Sequence, residues 1–303
     1  MKEKILVSTS SFSVTSNEAL EILNKSGYEI VFNPYGRKLT NQEMATIIDH
    51  KVIGIVAGLE ELSENTLSGT NVRIISRVGS GTSNVDKKYI SKKNIKLFTT
   101  PTAPINSVTE MTVANMINLS RHIFEMNECL HKASWSRMIG SEIYKKNIII
   151  FGCGNIGKRI AKILNAFEAN IYFVDPFNKK IDSKFEIISK DKALEIADII
   201  SIHVNVDEEI ININDLKKMK KNIFLLNSSR GNCVNENTIV YGIENDIIKG
   251  VWVDAFENEP YEGRLSEYKN VILSPHAASF TNECRANMEK EAVINLLSFL
   301  SNE

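Results

Sequence analysis

Two doubly wound α/β domains are predicted by this sequence, on three observations. Short apolar runs recur along the chain with helix-like stretches between them, the alternation that builds a parallel sheet with helices on both faces. The later runs, IIIF, IYFV, IISI and IFLL, are continuous rather than alternating, as strands covered on both faces require. The first of these later runs passes straight into a glycine-rich turn and then an amphipathic helix, the order found at a dinucleotide-binding turn.

The first strand series reads Lys4–Ser8, Glu29–Phe32, Val52–Val56, Val72–Arg77 and Ile95–Thr99, separated by stretches such as SNEALEILNKSG. Pro101 and Pro104 punctuate an exposed crossing, and a domain boundary is placed at 99–104. A long apolar-periodic helix is expected from Asn106 or Ser107, with Glu110 three residues after Ser107 as in a capping box. The second series reads 148–151, 171–174, 199–202, 223–226, 251–253 and 271–273, six strands of a doubly wound nucleotide-binding sheet. The last stretch, NECRANMEKEAVINLLSFL, reads as an amphipathic helix that returns to the first domain. The first domain is then discontinuous, 1–99 with 279–303, and the second spans 100–278.

Composition agrees with this. The 303 residues suffice for two ordinary domains, and 43% hydrophobic with 24% charged residues is a globular balance. A formal charge of −1, without a basic stripe or acidic tail, speaks against nucleic acid and anionic membrane as partners. The run Ile5–Val7 is too short for a signal peptide, and no apolar stretch approaches a bilayer span. Cys129, Cys153, Cys233 and Cys284 have no C-x-x-C spacing, so neither a disulfide framework nor a metal site is expected. The expectation is a soluble cytoplasmic protein.

FGCGNIG places Gly152, Gly154 and Gly157 directly after the strand 148–151, with Asn155 and Ile156 opening the helix. Glycines there let the backbone approach a pyrophosphate, while the helix N-terminus offers N–H groups and its positive dipole end. Asp175 closes the next strand, 18 residues after Gly157 (175 − 157). A carboxylate there accepts from the ribose hydroxyls and repels a 2′-phosphate, so NAD is expected over NADP, with Lys179 and Lys180 as the opposing feature.

Three later strand ends present ionisable groups: Arg230 in LLNSSRGNCVNE, Asp254 and Glu259 in GVWVDAFENEP, and His276 in LSPHAAS. Ligands bind at strand carboxyl ends in such sheets, so guanidinium, carboxylate and imidazole are expected at one rim beside the cofactor.

The blocks RVGSGTSNVD, TPTAPINSVTEMTVANMI, WSRMIGSEIYKKNIIIFGCGNIG, NSSRGNCVNEN, VDAFENEP and SPHAAS, taken in order, resemble those of the NAD-dependent D-isomer-specific 2-hydroxyacid dehydrogenases. The likeness runs from about Val72 to Ser279 and is greatest to short phosphoglycerate dehydrogenase-like members. It implies a Rossmann NAD-binding domain, a flavodoxin-like substrate domain and a cleft between them. It also implies roles. His276 would exchange the proton of the carbonyl or hydroxyl oxygen, histidine being the side chain that titrates near neutral pH. Glu259 would orient its ring, and Arg230 would hold the substrate carboxylate with a geometry lysine cannot copy. Asp254 would sit near the nicotinamide carboxamide, beside the backbone of Ser228 and Ser229. In the first domain the backbone of Val78, Gly79 and Ser80 would bind the carboxylate, and Arg77 a phosphate at the far end of the substrate.

The implied reaction interconverts a D-2-hydroxy acid and its 2-keto acid with NAD(H). 3-Phosphoglycerate and 3-phosphohydroxypyruvate are the preferred pair, which would place the protein in serine biosynthesis. Reduction of glyoxylate, hydroxypyruvate or another small keto acid is the alternative within the class. Outside it stand a non-catalytic NAD(H)-sensing regulatory protein, for which a proton donor would be needless, and a hydrolase of the adenosylhomocysteine type, which calls for a longer chain. A homodimer through the NAD-binding domain is implied, with the helix after Pro104 and the segment around Trp135 at the contact. Two departures, Asn205 where the family often has proline and Ser83 where it commonly has aspartate, are expected to act on loop shape and substrate choice. His203 reads mainly as structural, with contact to the cofactor as the alternative.

Overall fold

The structure, a computed structural model, describes residues 2–177, 181–206 and 208–302; Lys179 and Lys180 lie outside them. The chain divides into two compact units, Met1–Pro104 with Thr281–Glu303, and Ile105–Phe280.

The first strand series forms β1 (Lys4–Val7), β2 (Glu29–Phe32), β3 (Val52–Ala57), β4 (Ile74–Arg77) and β5 (Lys96–Phe98). Strand ends differ from the sequence reading by one or two residues, where the ladder runs out of partners. Between the strands lie α1 (Glu18–Lys25), α2 (Asn41–Ile47), α3 (Glu64–Leu67) and α4 (Lys87–Lys92). All pairings are parallel and the order is β2-β1-β3-β4-β5, the flavodoxin-like arrangement.

The second unit holds α5 (Ile105–Arg121), α6 (Ile123–His131), β6 (Asn147–Phe151), α7 (Asn155–Leu164), β7 (Asn170–Val174), β8 (Glu186–Ile187), α8 (Lys190–Ile196), β9 (Ile199–Ile202), α9 (Ile213–Leu216), β10 (Ile223–Asn227), α10 (Glu236–Glu244), β11 (Ile248–Val253) and β12 (Val271–Leu273). Its parallel sheet runs β12-β11-β10-β9-β6-β7-β8, a Rossmann order with an added edge strand. Alternation explains the continuous apolar runs. Ile148 and Ile150 enter one core cluster with Leu226 and Trp252, while Ile149 and Phe151 enter the other with Leu225 and Val251. The six expected strands became seven because β8, two residues long, offers no apolar run to read.

The chain's last helix, α11 (Asn282–Leu300), belongs to the first unit. Cys284, Met288, Ala292, Val293, Leu296 and Leu300 are buried at helical spacing against Ile5, Val7, Ile53, Val56 and Ile74. It lies so close to β3 that a Cβ on Gly54 would meet Leu296 Cδ1 at 3.2 Å.

One expectation about a helix start is corrected. α5 begins at Ile105, so Ser107 and Glu110 stand inside it and form no capping box. Pro104 is the reason: its fixed φ suits the first turn of a helix and it has no N–H to satisfy there. α6 has no buried residue, and Phe124, Leu130, Trp135 and Ile139 on and after it are exposed, Trp135 by 85% and Ile139 by 94%. Among the described residues no helix is long and apolar enough to cross a membrane.

Candidate active site

β6 is flanked by β7 on one side and β9 on the other, so the sheet changes direction there and a crevice opens at the carboxyl ends of β6 and β9. The three glycines after β6 have separate physical reasons. Gly152 has φ +101, and a Cβ on it would meet His203 O at 2.3 Å. Gly157 packs the helix on the turn: a Cβ there would meet Gly152 O at 2.2 Å. Gly154 is different. Its φ of −77 suits any residue, and a Cβ would meet nothing within 4 Å. Among the described residues nothing demands glycine at 154, so its open side suits a ligand.

Gly154 is also the N-cap of α7 and has no side chain to cap it, which leaves N–H groups of Asn155 and Ile156 for an anion. Asp175 stands beside this turn, 7% exposed: Oδ2 accepts from Cys153 N at 2.8 Å and Oδ1 from Phe177 N at 2.9 Å. A carboxylate oxygen can accept more than one hydrogen bond, as ribose recognition requires. Glycine turn, uncapped helix and strand-end carboxylate together fit NAD. His203, after β9, is structural; Ser201 Oγ lies 2.7 Å from its Nε2, and burial pushes its pKa down to about 3, so it is neutral at physiological pH.

His276 follows β12 with φ +51, left-handed backbone that a non-glycine residue adopts at a cost of about 1–2 kcal/mol. Asp254, at the end of β11, holds it there. Asp254 Oδ1 accepts from Ser274 Oγ at 2.5 Å and Ala277 N at 2.8 Å, and Oδ2 from Ala278 N at 3.0 Å. Trp252 Nε1 donates to Ser274 Oγ at 2.9 Å. The carboxylate is 1% exposed and faces the His276 loop. Both oxygens bond the loop that carries His276.

His276 Nδ1 lies 3.0 Å from both oxygens of Glu259. This directs Nδ1 to the carboxylate and leaves Nε2 for a reacting group. The side chains are 52% and 39% exposed, so the pair contributes at most about 1 kcal/mol to stability; what it sets is the orientation of the ring. Glu259 is held in turn by Phe256 N, which donates to Oε1 at 3.1 Å.

Two groups that sequence reasoning missed fasten this loop. Tyr261 stacks on Phe256 at 4.2 Å and donates to Glu236 at the start of α10, and it accepts from Leu265 N at 2.9 Å. Burial, then the Glu236 carboxylate, pushes the phenol up to about 12, so it stays a donor. Glu236 also accepts from Arg264 N at 3.2 Å. Their only trace in the sequence is that both lie near the motifs.

Arg230 follows β10, the neighbour of β11. Asn227 shapes its turn, accepting from Ser229 N at 3.1 Å and donating from Nδ2 to Arg230 O at 2.9 Å. Ser229 Oγ donates to Ile202 O at 2.7 Å, while Ser228 Oγ is buried with no hydrogen-bond partner. A Cβ on Gly231 would meet Phe256 C at 2.0 Å, so the Arg230 turn packs directly on the chain that carries Glu259. Arg230, Glu259 and His276 therefore come from three adjacent strand ends.

In the first unit the expected substrate groups are mostly engaged in internal hydrogen bonds. Val78 N donates to Ala57 O at 2.8 Å and Gly79 N to Thr100 Oγ1 at 2.8 Å. Arg77 is 7% exposed; its Nε donates to Asn84 Oδ1 at 3.1 Å, and its Nη1 stands 2.2 Å from where a Gly79 Cβ would be. Gly79, φ +137, is glycine to admit that guanidinium, which is turned into the unit rather than toward a phosphate. Of the four, Ser80 is exposed.

A dinucleotide-binding sheet with imidazole, carboxylate and guanidinium at its carboxyl edge is the constitution of an NAD-dependent oxidoreductase. Residues 113–278 match the family model described as D-isomer specific 2-hydroxyacid dehydrogenase, NAD binding domain. A hydroxypyruvate reductase of Thermotoga maritima is 29% identical over 91% of this chain and 92% of its own length. A D-3-phosphoglycerate dehydrogenase of Synechocystis is 33% identical over 73% of this chain, a match that spans 42% of that protein. The solved structure of a glyoxylate reductase from Paecilomyes thermophila superposes with TM-score 0.88 at 22% identity, covering 98% of this chain and 95% of that one. The chain belongs to the D-isomer specific 2-hydroxyacid dehydrogenase family, and its cofactor is NAD.

Two outcomes are expected. Asp254→Asn replaces an acceptor by an NH2 group facing backbone N–H, and should lower stability by about 1.5–3 kcal/mol in denaturant titration and turnover by more than about tenfold. Unchanged turnover would mean that the His276 loop holds its shape without this carboxylate. Asp175→Ala should weaken NADH binding by roughly 10- to 100-fold and narrow the gap to NADPH, read as dissociation constants for both nucleotides; an unaltered preference would reduce Asp175 to a brace for the glycine turn.

Proposed function

We propose that this enzyme reduces a small, unphosphorylated 2-keto acid, of the glyoxylate or hydroxypyruvate kind, to the D-2-hydroxy acid, and catalyses the reverse oxidation. The observation that carries the reaction is the His276–Glu259 pair, both carboxylate oxygens 3.0 Å from Nδ1, with Nε2 left for the substrate. NAD(H), when bound, supplies or accepts the hydride at the substrate's C2.

In reduction the His276 imidazolium gives its Nε2 proton to the carbonyl oxygen, and Glu259 stabilises the charged ring before transfer. In oxidation the neutral Nε2 takes the hydroxyl proton. Arg230 holds the substrate carboxylate and draws charge toward the carbonyl oxygen; among the described residues no carboxylate pairs with it, so its charge is available. The substrate choice rests on Arg77. The preference for 3-phosphohydroxypyruvate and serine biosynthesis followed the resemblance, with Arg77 as its candidate phosphate receiver, and the inward packing of that side chain favours an acid without a phosphate. The end-to-end match to a hydroxypyruvate reductase supports the same choice. Residues 1–104 with 281–303 are proposed as the substrate domain.

A homodimer through the NAD-binding unit belongs to this proposal, supported by the apolar side chains exposed on and after α6. Sedimentation equilibrium should give twice the chain mass of 34.1 kDa, and a monomer would refute the pairing.

NADH oxidation at varied glyoxylate, hydroxypyruvate, pyruvate and 3-phosphohydroxypyruvate tests the reaction. The expected order puts an unphosphorylated acid first; a dominant rate with the phosphorylated acid would reverse the substrate assignment and leave the mechanism. His276→Ala should lower turnover by roughly 10²- to 10⁴-fold with NADH affinity retained, and full activity in that variant would remove the proton-transfer role.

A further inference from the structure

We infer that Asn205 is the positioning residue for Arg230, an inference that rests on the role of Arg230 as receiver of the substrate carboxylate. Arg230 Nη1 donates to Ser229 O at 2.8 Å and Nη2 to Asn205 Oδ1 at 3.0 Å, across 25 residues of chain. Arginine has donors only, so it is the amide oxygen of Asn205 that faces the guanidinium.

The contact is built rather than incidental, because the two segments are laced together on both sides of it. Ahead of Asn205, Ile202 O accepts from Ser229 Oγ at 2.7 Å. After it, Val206 O accepts from Cys233 Sγ at 3.9 Å, and Ile210 N and Ile211 N donate to Cys233 O at 2.8 and 3.1 Å. Backbone and side-chain bonds thus carry residue 205 to the side of residue 230 whatever the identity of its side chain, and asparagine there supplies an acceptor.

The chemistry of that acceptor matters. Both oxygens on Arg230 are neutral, so they orient the guanidinium and leave its charge for the substrate. An aspartate at 205 would present the same shape with a negative charge and compete with the substrate carboxylate for the same donors. Alanine would leave a long, flexible side chain to be ordered only when substrate arrives, which weakens binding. Asn205 therefore acts through the arginine on substrate affinity and not on the nucleotide.

The experiment compares wild type, Asn205→Ala and Asn205→Asp as full chains, using the keto acid with the highest wild-type kcat/KM. Three quantities are read: KM and kcat for that acid, inhibition by the unreactive keto-acid analogue oxamate, and the NADH dissociation constant. Expected for Asn205→Ala is a loss of roughly five- to thirtyfold in kcat/KM, carried mainly by KM and the oxamate constant, with NADH affinity within about twofold of wild type. Asn205→Asp should be at least as impaired in both carboxylate readouts, although it keeps an oxygen in the same place. Retained NADH affinity shows that the variants are folded. Either variant within about twofold of wild type in kcat/KM overturns the role of Asn205 and leaves the reaction standing. A wild type that turns over no keto acid overturns the reading of Arg230, and this inference with it.

Discussion

The arrangement of the active site depends on one buried carboxylate. Asp254 leaves β11 with its side chain 1% exposed, in surroundings where an unpaired charge would cost several kcal/mol. It is held there because a hydroxyl and two backbone N–H groups of the following loop converge on it. The same bonds impose left-handed backbone on His276, a conformation that its sequence alone would not adopt. Strand order does the rest. β10, β11 and β12 are neighbours, so fixing one loop after β11 and one after β12 brings Glu259 and His276 together. Gly231 packs on Phe256 and brings the Arg230 turn to the same chain.

The two charged groups proposed to meet substrate are supported in opposite ways. His276 has a carboxylate behind it, which suits a ring that must carry a positive charge and then lose it. Arg230 keeps its charge throughout, and its supports are a backbone carbonyl and an amide oxygen. A carboxylate in the second place would orient the guanidinium equally well and cancel what the substrate needs from it. Beneath both, the stacked pair Phe256–Tyr261 and the Tyr261–Glu236 hydrogen bond brace the loop from the side of α10. One brace is an aromatic stack and the other a hydrogen bond, and all three side chains are half-buried.

The glycine turn, the buried strands and the three strand-end groups were legible because each has a local cause. Continuous apolar runs need cover on two faces. A buried strand leading through G-x-G-x-x-G into a helix is the order that a pyrophosphate site requires. Local reasoning failed where the deciding partner is distant in sequence or where a neighbour overrides a spacing. Ser107 and Glu110 have capping-box spacing, and Pro104 nonetheless starts the helix two residues earlier than Ser107. Arg77, which the resemblance offers as a phosphate receiver, donates to Asn84 in the structure, and Gly79 leaves room for its guanidinium. The resemblance places Asp254 near the nicotinamide, and only the fold shows its oxygens bonded to residues 274–278.

By itself the sequence determined the class of fold, the motif that opens the nucleotide-binding sheet and NAD as cofactor, since all of these follow from short-range pattern and side-chain identity. The tertiary structure alone decided which hydrogen-bond acceptor each charged group faces. Asn205 beside Arg230, Asp254 under His276 and Asn84 on Arg77 are pairings set by strand order and loop packing. A hydrogen bond selects its partner by position in space to a few tenths of an ångström, and no spacing along the chain encodes that.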